Sequence, residues 1–385
     1  MRPHQSGLVS SSELFEDCYN KGLGWVSFRL PQDNSLPGEA RHMIDPQAHL
    51  NRVWQQQDRN GFVVAPFDLQ NKKALWMEAA LTWTGDTLAM DQVQHESWFR
   101  EPKAPTKTQP VPVNRDQSQE EFCKKVQEII DILQKKTPSH CLQKVVWSRT
   151  ITTALPLGLK PYEFFKKICD TYPEVHAVLC YHPTLGLWIG ASPEILIEKK
   201  EGLVYSMALA GTRPVSTPNN TETARPWRPK EMREQGLVVE YLQERFTRLG
   251  LVPQIGPTGN FRAGSIEHLH TVVSATTSTH SFPLAWELHP SPAIAGEPKE
   301  EALQVIVNQE PHDRELYGGF WGYLDQNGCG RLSVNLRCLR WYSEQAVLFA
   351  GAGILADSDA DAEWQETCRK SETLLKLLNQ DDPTT

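Results

Sequence analysis

Four stretches of the chain repeat apolar residues at helical spacing. Phe122, Val126, Ile129 and Leu133 share one face of 119–136, and Ser118 with Glu121 forms a capping box at its start. A second helix is expected from Pro161 to about Tyr172, a third over 229–249 with Gly250 as its stop, and a fourth from about Asp361 to Leu378. Between them VHAVLCYH (175–182), LGLWIG (185–190) and the hairpin EILIEKKEGLVYSMAL (194–209) read as strands. Residues 318–355 read as a three-strand antiparallel meander whose first turn is Gln326-Asn327-Gly328. Residues 1–95 carry short apolar runs such as GWVSFRL and GFVVAPF between polar loops, a pattern of irregular β structure. The proline-rich stretch 100–117 reads as a surface linker or long loop, and 380–385 as a loose tail. Meanders mixed with helices predict the α+β class.

Composition narrows the function classes. The 385 residues could make two average domains or one large one. The net charge is −8, and the arginines and lysines are scattered rather than striped, so no nucleic-acid surface is expected. A small acidic substrate stays compatible with that charge, because a pocket can oppose the net sign locally. The eight cysteines form no CxxC pair and read as reduced thiols of a cytoplasmic protein. MRPHQSGLVSSS lacks an apolar signal core, and no stretch approaches 18 apolar residues, so no membrane span is expected.

Several positions could carry chemistry. Lys144 opens the strand-like run KVVWSR, where a buried ammonium is costly unless it is paired or used. Glu363, Glu366 and Lys370 share a face of the last helix, and Glu231 and Glu234 sit one turn apart near 230. The two carboxylate pairs either converge on a hard cation such as Mg²⁺ or lie on solvated helix faces closed by ion pairs. Glu194, beside an apolar strand end, is either a general acid with a raised pKa or a solvated loop carboxylate. By strand alternation Arg337 shares a polar face with Ser333 and Asn335, where it either grips a carboxylate or meets water. Gly211, Gly296, Gly318, Gly319, Gly351 and Gly353 allow close backbone approach or tight turns, and none forms a GxGxxG or P-loop pattern. His268 and His270 of EHLHT would splay on a helix, which favours a structural or substrate-contact role over metal binding.

Together these stretches resemble the chorismate-utilising enzyme family. The matching segments are KVVWSR (144–149), GASPEIL (190–196), LAGTRP (209–214), KEMRE (230–234), EHLHTVV (267–273), HPSPAIAG (289–296), RELYGGFWGY (314–323), NLRC (335–338), GAGIL (351–355) and EWQETCRK (363–370). The resemblance implies one large α+β domain with two facing antiparallel sheets and outer helices. Residues 118–379 would form its chorismate-binding catalytic region and 1–117 a divergent N-terminal part of the same fold. It implies that Glu234 and Glu366 hold Mg²⁺, with Glu231 and Glu363 close by. Arg337 and Tyr317, with the backbone near Gly353, would bind the enolpyruvyl carboxylate of chorismate. Gly211, Thr212, His268, Ala293 and Lys370 would complete the substrate site.

The resemblance also suggests which reaction to expect. Members that use water as nucleophile carry a lysine at the position of Lys144, where it serves as base, and Glu194 would protonate the departing 4-hydroxyl. Ala210 stands where aminodeoxychorismate synthases have an attacking lysine, and Ala293 where salicylate synthases tend to have threonine. Ala293, with the HPSPA stretch, resembles the isochorismate synthases of the family, which serve menaquinone, siderophore or salicylate production. The alternatives are a salicylate synthase and a catalytically silent chorismate-binding relative. No glutamine amidotransferase partner is implied, and a monomer or weak homodimer is expected. One departure is Gln235, where the family usually has histidine after the second glutamate of this motif.

Overall fold

The strand His176–His182 is buried at every position, and its two faces meet different layers. Ala177, Leu179 and Tyr181 pack toward helices, while Val178 and Cys180 pack toward a second sheet. A strand covered on both faces reads as a continuous apolar run rather than as clean alternation. This is the plan of the whole molecule: two antiparallel sheets face each other, and helices cover their outer sides. The computed structural model describes residues 6–31, 39–45, 49–50, 59–78, 80–91, 116–135, 141–215, 226–263 and 266–379. Most of the expected linker 100–117 and the whole tail 380–385 lie outside the described residues.

Seven helices appear among the described residues: α1 (Ser11–Lys21), α2 (Gln119–Gln134), α3 (Pro161–Thr171), α4 (Pro229–Arg248), α5 (Ser281–Leu288), α6 (Lys299–Gln309) and α7 (Ala360–Asn379). The first sheet orders its nine strands as 296–297, 144–154, 345–355, 338–341, 186–192, 176–182, 24–29, 41–45 and 81–84. Helices α1, α3 and the end of α7 pack on its outer face through Leu14, Phe15, Phe164, Ile168, Leu374 and Leu378. The second sheet runs 254–255, 266–276, 203–214, 195–200, 330–334, 320–324, 61–65, 75–78 and 49–50, with 259–263 also paired to 266–276. Phe122, Val126, Ile129 and Leu133 of α2, with Val238, Leu242 and Phe246 of α4, belong to the core cluster on that side. Between the sheets Phe28, Phe62, Met77, Trp188, Trp321 and Phe349 interdigitate. Strands from before residue 92 complete both sheets, so this part shares the core of the rest.

Three expectations need correction. The region 1–95 contains α1, whose start is a capping box of Ser10 and Glu13 and whose end is Gly22 in the left-handed region. The segment 318–355 holds four strands in two hairpins, one in each sheet. The chain crosses between the sheets at Asn335–Arg337, where Arg337 has a φ of 47°. Asn335 secures the crossing: its side-chain amide donates to the Leu316 carbonyl at 2.9 Å. Arg337 is therefore placed by a crossover and not by strand alternation. The EHLHT segment is strand, within Ile266–Thr276, as its β-branched Thr271, Val272 and Val273 favour.

Candidate active site

The strands 144–154 and 345–355 pair along their whole length, and α4 and α7 close over their Lys144 end. A cleft of about 60 Å³ opens there between the two sheets. Glu194, Gly211, Thr212, Glu234, His268, Ala293, Tyr317, Arg337, Gly353, Glu366 and Lys370 all line it. Eleven of the fourteen sequence-predicted site residues thus converge on one cavity. Lys144, Glu231 and Glu363 lie behind its wall.

Lys144 is fully buried, and its Nζ stands 2.8 Å from Glu234 Oε1. The contact is an ion pair without hydrogen-bond alignment at Nζ. Gly353 makes the pair possible: a Cβ there would stand 2.2 Å from Glu234 Oε1 and 2.9 Å from Lys144 Cε. Gly211 does the same for α4. Its φ is +64°, at the bulge between Ala210 and Thr212, and a Cβ would meet the Glu231 Cβ at 2.9 Å.

Glu194 is 4% exposed, and burial pushes its carboxyl up to about 8 against the pull of Lys144 and Lys370. Burial, with Arg337 and Lys370, holds His268 down to about 3, so its ring is neutral at pH 7. Its Nε2 is 3.4 Å from Arg337 Nη2, a contact in which the guanidinium donates and the ring accepts. Arg337 also donates to Thr373 Oγ1 at 2.7 Å, and the residue lines the cleft. Burial lowers Arg337 to about 10, which leaves it cationic. Tyr317 stacks on Phe349 with ring centroids 5.5 Å apart, and burial pushes its phenol up.

Each carboxylate of the expected metal set has a cation. Arg228 pairs with Glu231, Lys144 with Glu234, Lys230 with Glu363, and Lys370 with Glu366 at 2.7 Å. Burial works against ionising Glu366, but Lys370, Lys230 and the Thr212 hydroxyl hold it down to about 2. Burial and the Glu366 charge push Glu363 up. Among the described residues no three acidic, histidine or cysteine groups stand close enough to form a metal site. The donor chemistry nevertheless suits a hard cation: four carboxylates from two facing helices, and a Glu231 Oε2 that is buried without a hydrogen-bond partner.

Gln235 has a separate task. Its Oε1 accepts from the Ala210 N–H at 2.9 Å, and its Nε2 donates to the Ala208 carbonyl at 3.1 Å and Thr271 Oγ1 at 3.0 Å. It ties α4 to the bulged strand with both ends of a neutral amide, and the lack of a cationic form costs nothing there. Gln235→Ala is expected to cost about 2–3 kcal/mol by leaving the Ala210 amide and Ala208 carbonyl unpaired. Gln235→His, which keeps one donor and one acceptor, should cost less. Urea denaturation checks this, and equal losses for the two variants would contradict it.

Sequence reading did not single out the apolar wall, formed by Val146, Leu209, Ile294, Leu336, Phe349 and Ala350. Gly351, singled out in the sequence for close backbone approach, also offers its carbonyl to Lys370 Nζ at 2.8 Å and so fixes that ammonium over the cleft. Val146 could have been found from alternation with Lys144, but the other wall residues come from separate elements.

Residues 41–379 match a family model described as chorismate binding enzyme. The isochorismate synthase EntC of Escherichia coli K12 is 36% identical over 257 residues, which span 63% of this chain and 64% of that enzyme. The vibriobactin-specific isochorismate synthase of Vibrio cholerae is 35% identical over 197 residues, 49% of each chain. The matches thus span about half to just under two thirds of these curated relatives. Among solved structures, the menaquinone-specific isochorismate synthase MenF of Escherichia coli superposes with a TM-score of 0.73 at 19% identity, over 98% of this chain and 96% of its own. Anthranilate synthase component I of Streptococcus pneumoniae superposes with a TM-score of 0.64 at 18% identity, over 91% of this chain and 92% of its own.

Proposed function

The chain belongs to the chorismate-binding enzyme family, and from that premise we propose that it is an isochorismate synthase. The observation that carries this reading is the pairing, around one small cleft, of a buried carboxyl pushed up to about 8 at Glu194 with a buried lysine at Lys144. A carboxyl of that kind still holds its proton at pH 7 and can give it to a departing hydroxyl. Water adds at C2 of the chorismate ring and yields a proton to Lys144. Both ring double bonds shift by one position, the C4–O bond breaks, and the C4 hydroxyl leaves as water with the proton of Glu194. One water enters and one leaves, so the product is an isomer of the substrate.

The cleft residues support this assignment of roles. Arg337 and Lys370 offer fixed cations to the two carboxylates of the substrate. Ala210 and Ala293 leave no side-chain amine or hydroxyl at the ring, which favours addition of water and release of isochorismate over further elimination. Glu234 and Glu366, with Glu231 and Glu363 behind them, would hold Mg²⁺, whose charge neutralises the ring carboxylate. With water as nucleophile, no glutamine amidotransferase is required, and a cytoplasmic monomer or weak homodimer fits the chain. No helix among the described residues is long and apolar enough to cross a membrane.

The pH profile tests the acid. The proton of Glu194 is present below about 8 and lost as pH rises through that value, because burial raises the folded-state pKa. The expected kcat/KM therefore falls on the alkaline side about tenfold per unit once Glu194 ionises. Glu194→Gln should lower kcat by about 10²–10⁴-fold and abolish that limb. A wild-type profile flat through pH 9 would contradict the assignment.

A further inference from the structure

Behind the cleft lies a buried guanidinium that no step above uses. Arg314 is 3% exposed and spends its whole fork on four acceptors. Its Nε and Nη2 grip both oxygens of Glu310 at 2.7 and 2.6 Å. Its Nη1 donates to the Ile294 carbonyl at 2.8 Å, and Nη2 also donates to the Val146 carbonyl at 2.7 Å. Its own carbonyl accepts from the Tyr317 N–H at 2.8 Å.

The choice of partners is informative. Val146, Ile294 and Tyr317 all line the cleft, and they come from three separate segments. Val146 lies two residues beyond Lys144 on the same strand, so the two share a face. Ile294 follows Ala293 directly. Sheet pairing reaches this junction from the other side, where Gly296 and Glu297 pair with Val145 and Lys144. At Ile294 that ladder gives way to the guanidinium. Glu310 supplies the counter-charge and is itself fixed, because its Oε1 accepts from the Ser148 N–H and hydroxyl, both at 2.8 Å. The pair is neutral as a whole, so the site gains rigidity without a further buried cation competing for the substrate's carboxylates.

We infer that Arg314 is a positioning residue of the reaction, which sets the spacing between the Lys144 strand, the Ala293 segment and the Tyr317 wall. It touches no reacting atom. The inference rests on the isochorismate synthase reading of the cleft. A lysine at 314 keeps the charge and can reach Glu310, but a single ammonium cannot span carbonyls on two segments as a planar fork does. The carboxylate-binding groups Arg337 and Lys370 are held by other contacts, to Thr373 and Gly351. Loss of the clamp should therefore appear in kcat more than in KM.

The test compares Arg314→Lys, Arg314→Gln and Ser148→Ala with the wild-type chain. Each is assayed with chorismate and Mg²⁺, and rates are normalised to folded protein by near-ultraviolet circular dichroism. Arg314→Lys is expected to lose about 30- to 100-fold in kcat, the scale of a misplacement near 1 Å, with KM changed less than about threefold. Ser148→Ala removes one bond to Glu310 and should lower the melting temperature while kcat stays within about twofold. Two outcomes overturn the inference while the wild type remains active: an Arg314→Lys kcat within about threefold of wild type, or failure of both Arg314 variants to fold, which makes the residue a stability element only. A wild-type chain inactive on chorismate overturns the reading of the cleft itself, and the inference falls with it.

Discussion

Lys144→Ala is expected to lower kcat by at least about 10³-fold while chorismate still binds. Nζ is a fully buried basic group at the Glu234 wall of the cleft, and it stands 2.8 Å from that carboxylate. Removing it deletes the base but leaves Arg337, Lys370 and Tyr317 in place to hold the substrate. Glu234 then loses its cation, so binding of the doubly charged substrate should weaken by a few-fold and no more. Lys144→Gln keeps most of the stem volume and separates loss of the amine from loss of packing. Single-turnover kinetics and titration calorimetry on both variants check the result. A kcat retained within about tenfold in either would remove Lys144 from the mechanism.

Glu366→Ala should separate metal from substrate. The Glu366 carboxylate is ionised, set between Lys370 and Lys230 and bonded by Thr212. Its loss takes away one of the two carboxylates of the expected metal set that line the cleft, so Mg²⁺ affinity should fall by about 10- to 100-fold or more. Without Mg²⁺ the sign reverses. A negative charge has been removed near an anionic substrate, so metal-free chorismate binding should be unchanged or tighter. Calorimetric titration of Mg²⁺ alone, and of chorismate with and without Mg²⁺, reads both effects without turnover. An unchanged metal titration would remove Glu366 from the ligand set. The fold should persist, because Lys370 keeps its bond to the Gly351 carbonyl and Lys230 its pair with Glu363.

The helices were legible because their signals are local. The capping box and apolar stripe of α2 lie within sixteen residues, and the structure reproduces them to within two positions. The same signal was present at SSSELFEDCYNKG, where Ser10, Glu13, Leu14, Phe15 and Cys18 make α1. The surrounding apolar runs, which read as strands, mask it. Arg337 shows a different limit. The run from Gly330 to Trp341 alternates well enough to pass for one strand, yet the chain changes sheets within it. The cause is a set of bonds from Asn335 to Leu316, Gly318 and Gly319, and no spacing rule encodes them.

The site was legible only through the family resemblance. Periodicity places Glu231 with Glu234, and Glu363 with Glu366, on common faces, but it does not say that the two helices meet. It is silent on Lys144 and Glu234, which are ninety positions apart and yet form the central ion pair. Burial turns the ambiguous Glu194 into a carboxyl with a raised pKa. That follows from the two facing sheets, whose strands before residue 92 help to exclude water. Arg337 and Lys370 place two cations at the cleft within a chain of net charge −8. This is how an acidic protein can bind a doubly anionic substrate.

The most direct test of the central claim is the product of one incubation. Purified protein is mixed with chorismate and Mg²⁺, without ammonia, and the products are separated by chromatography. Isochorismate approaching equilibrium with chorismate, with no pyruvate released, is the predicted result. Salicylate with pyruvate would contradict the reading of Ala293, and no conversion at all would contradict the assignment of Lys144 and Glu194 as base and acid.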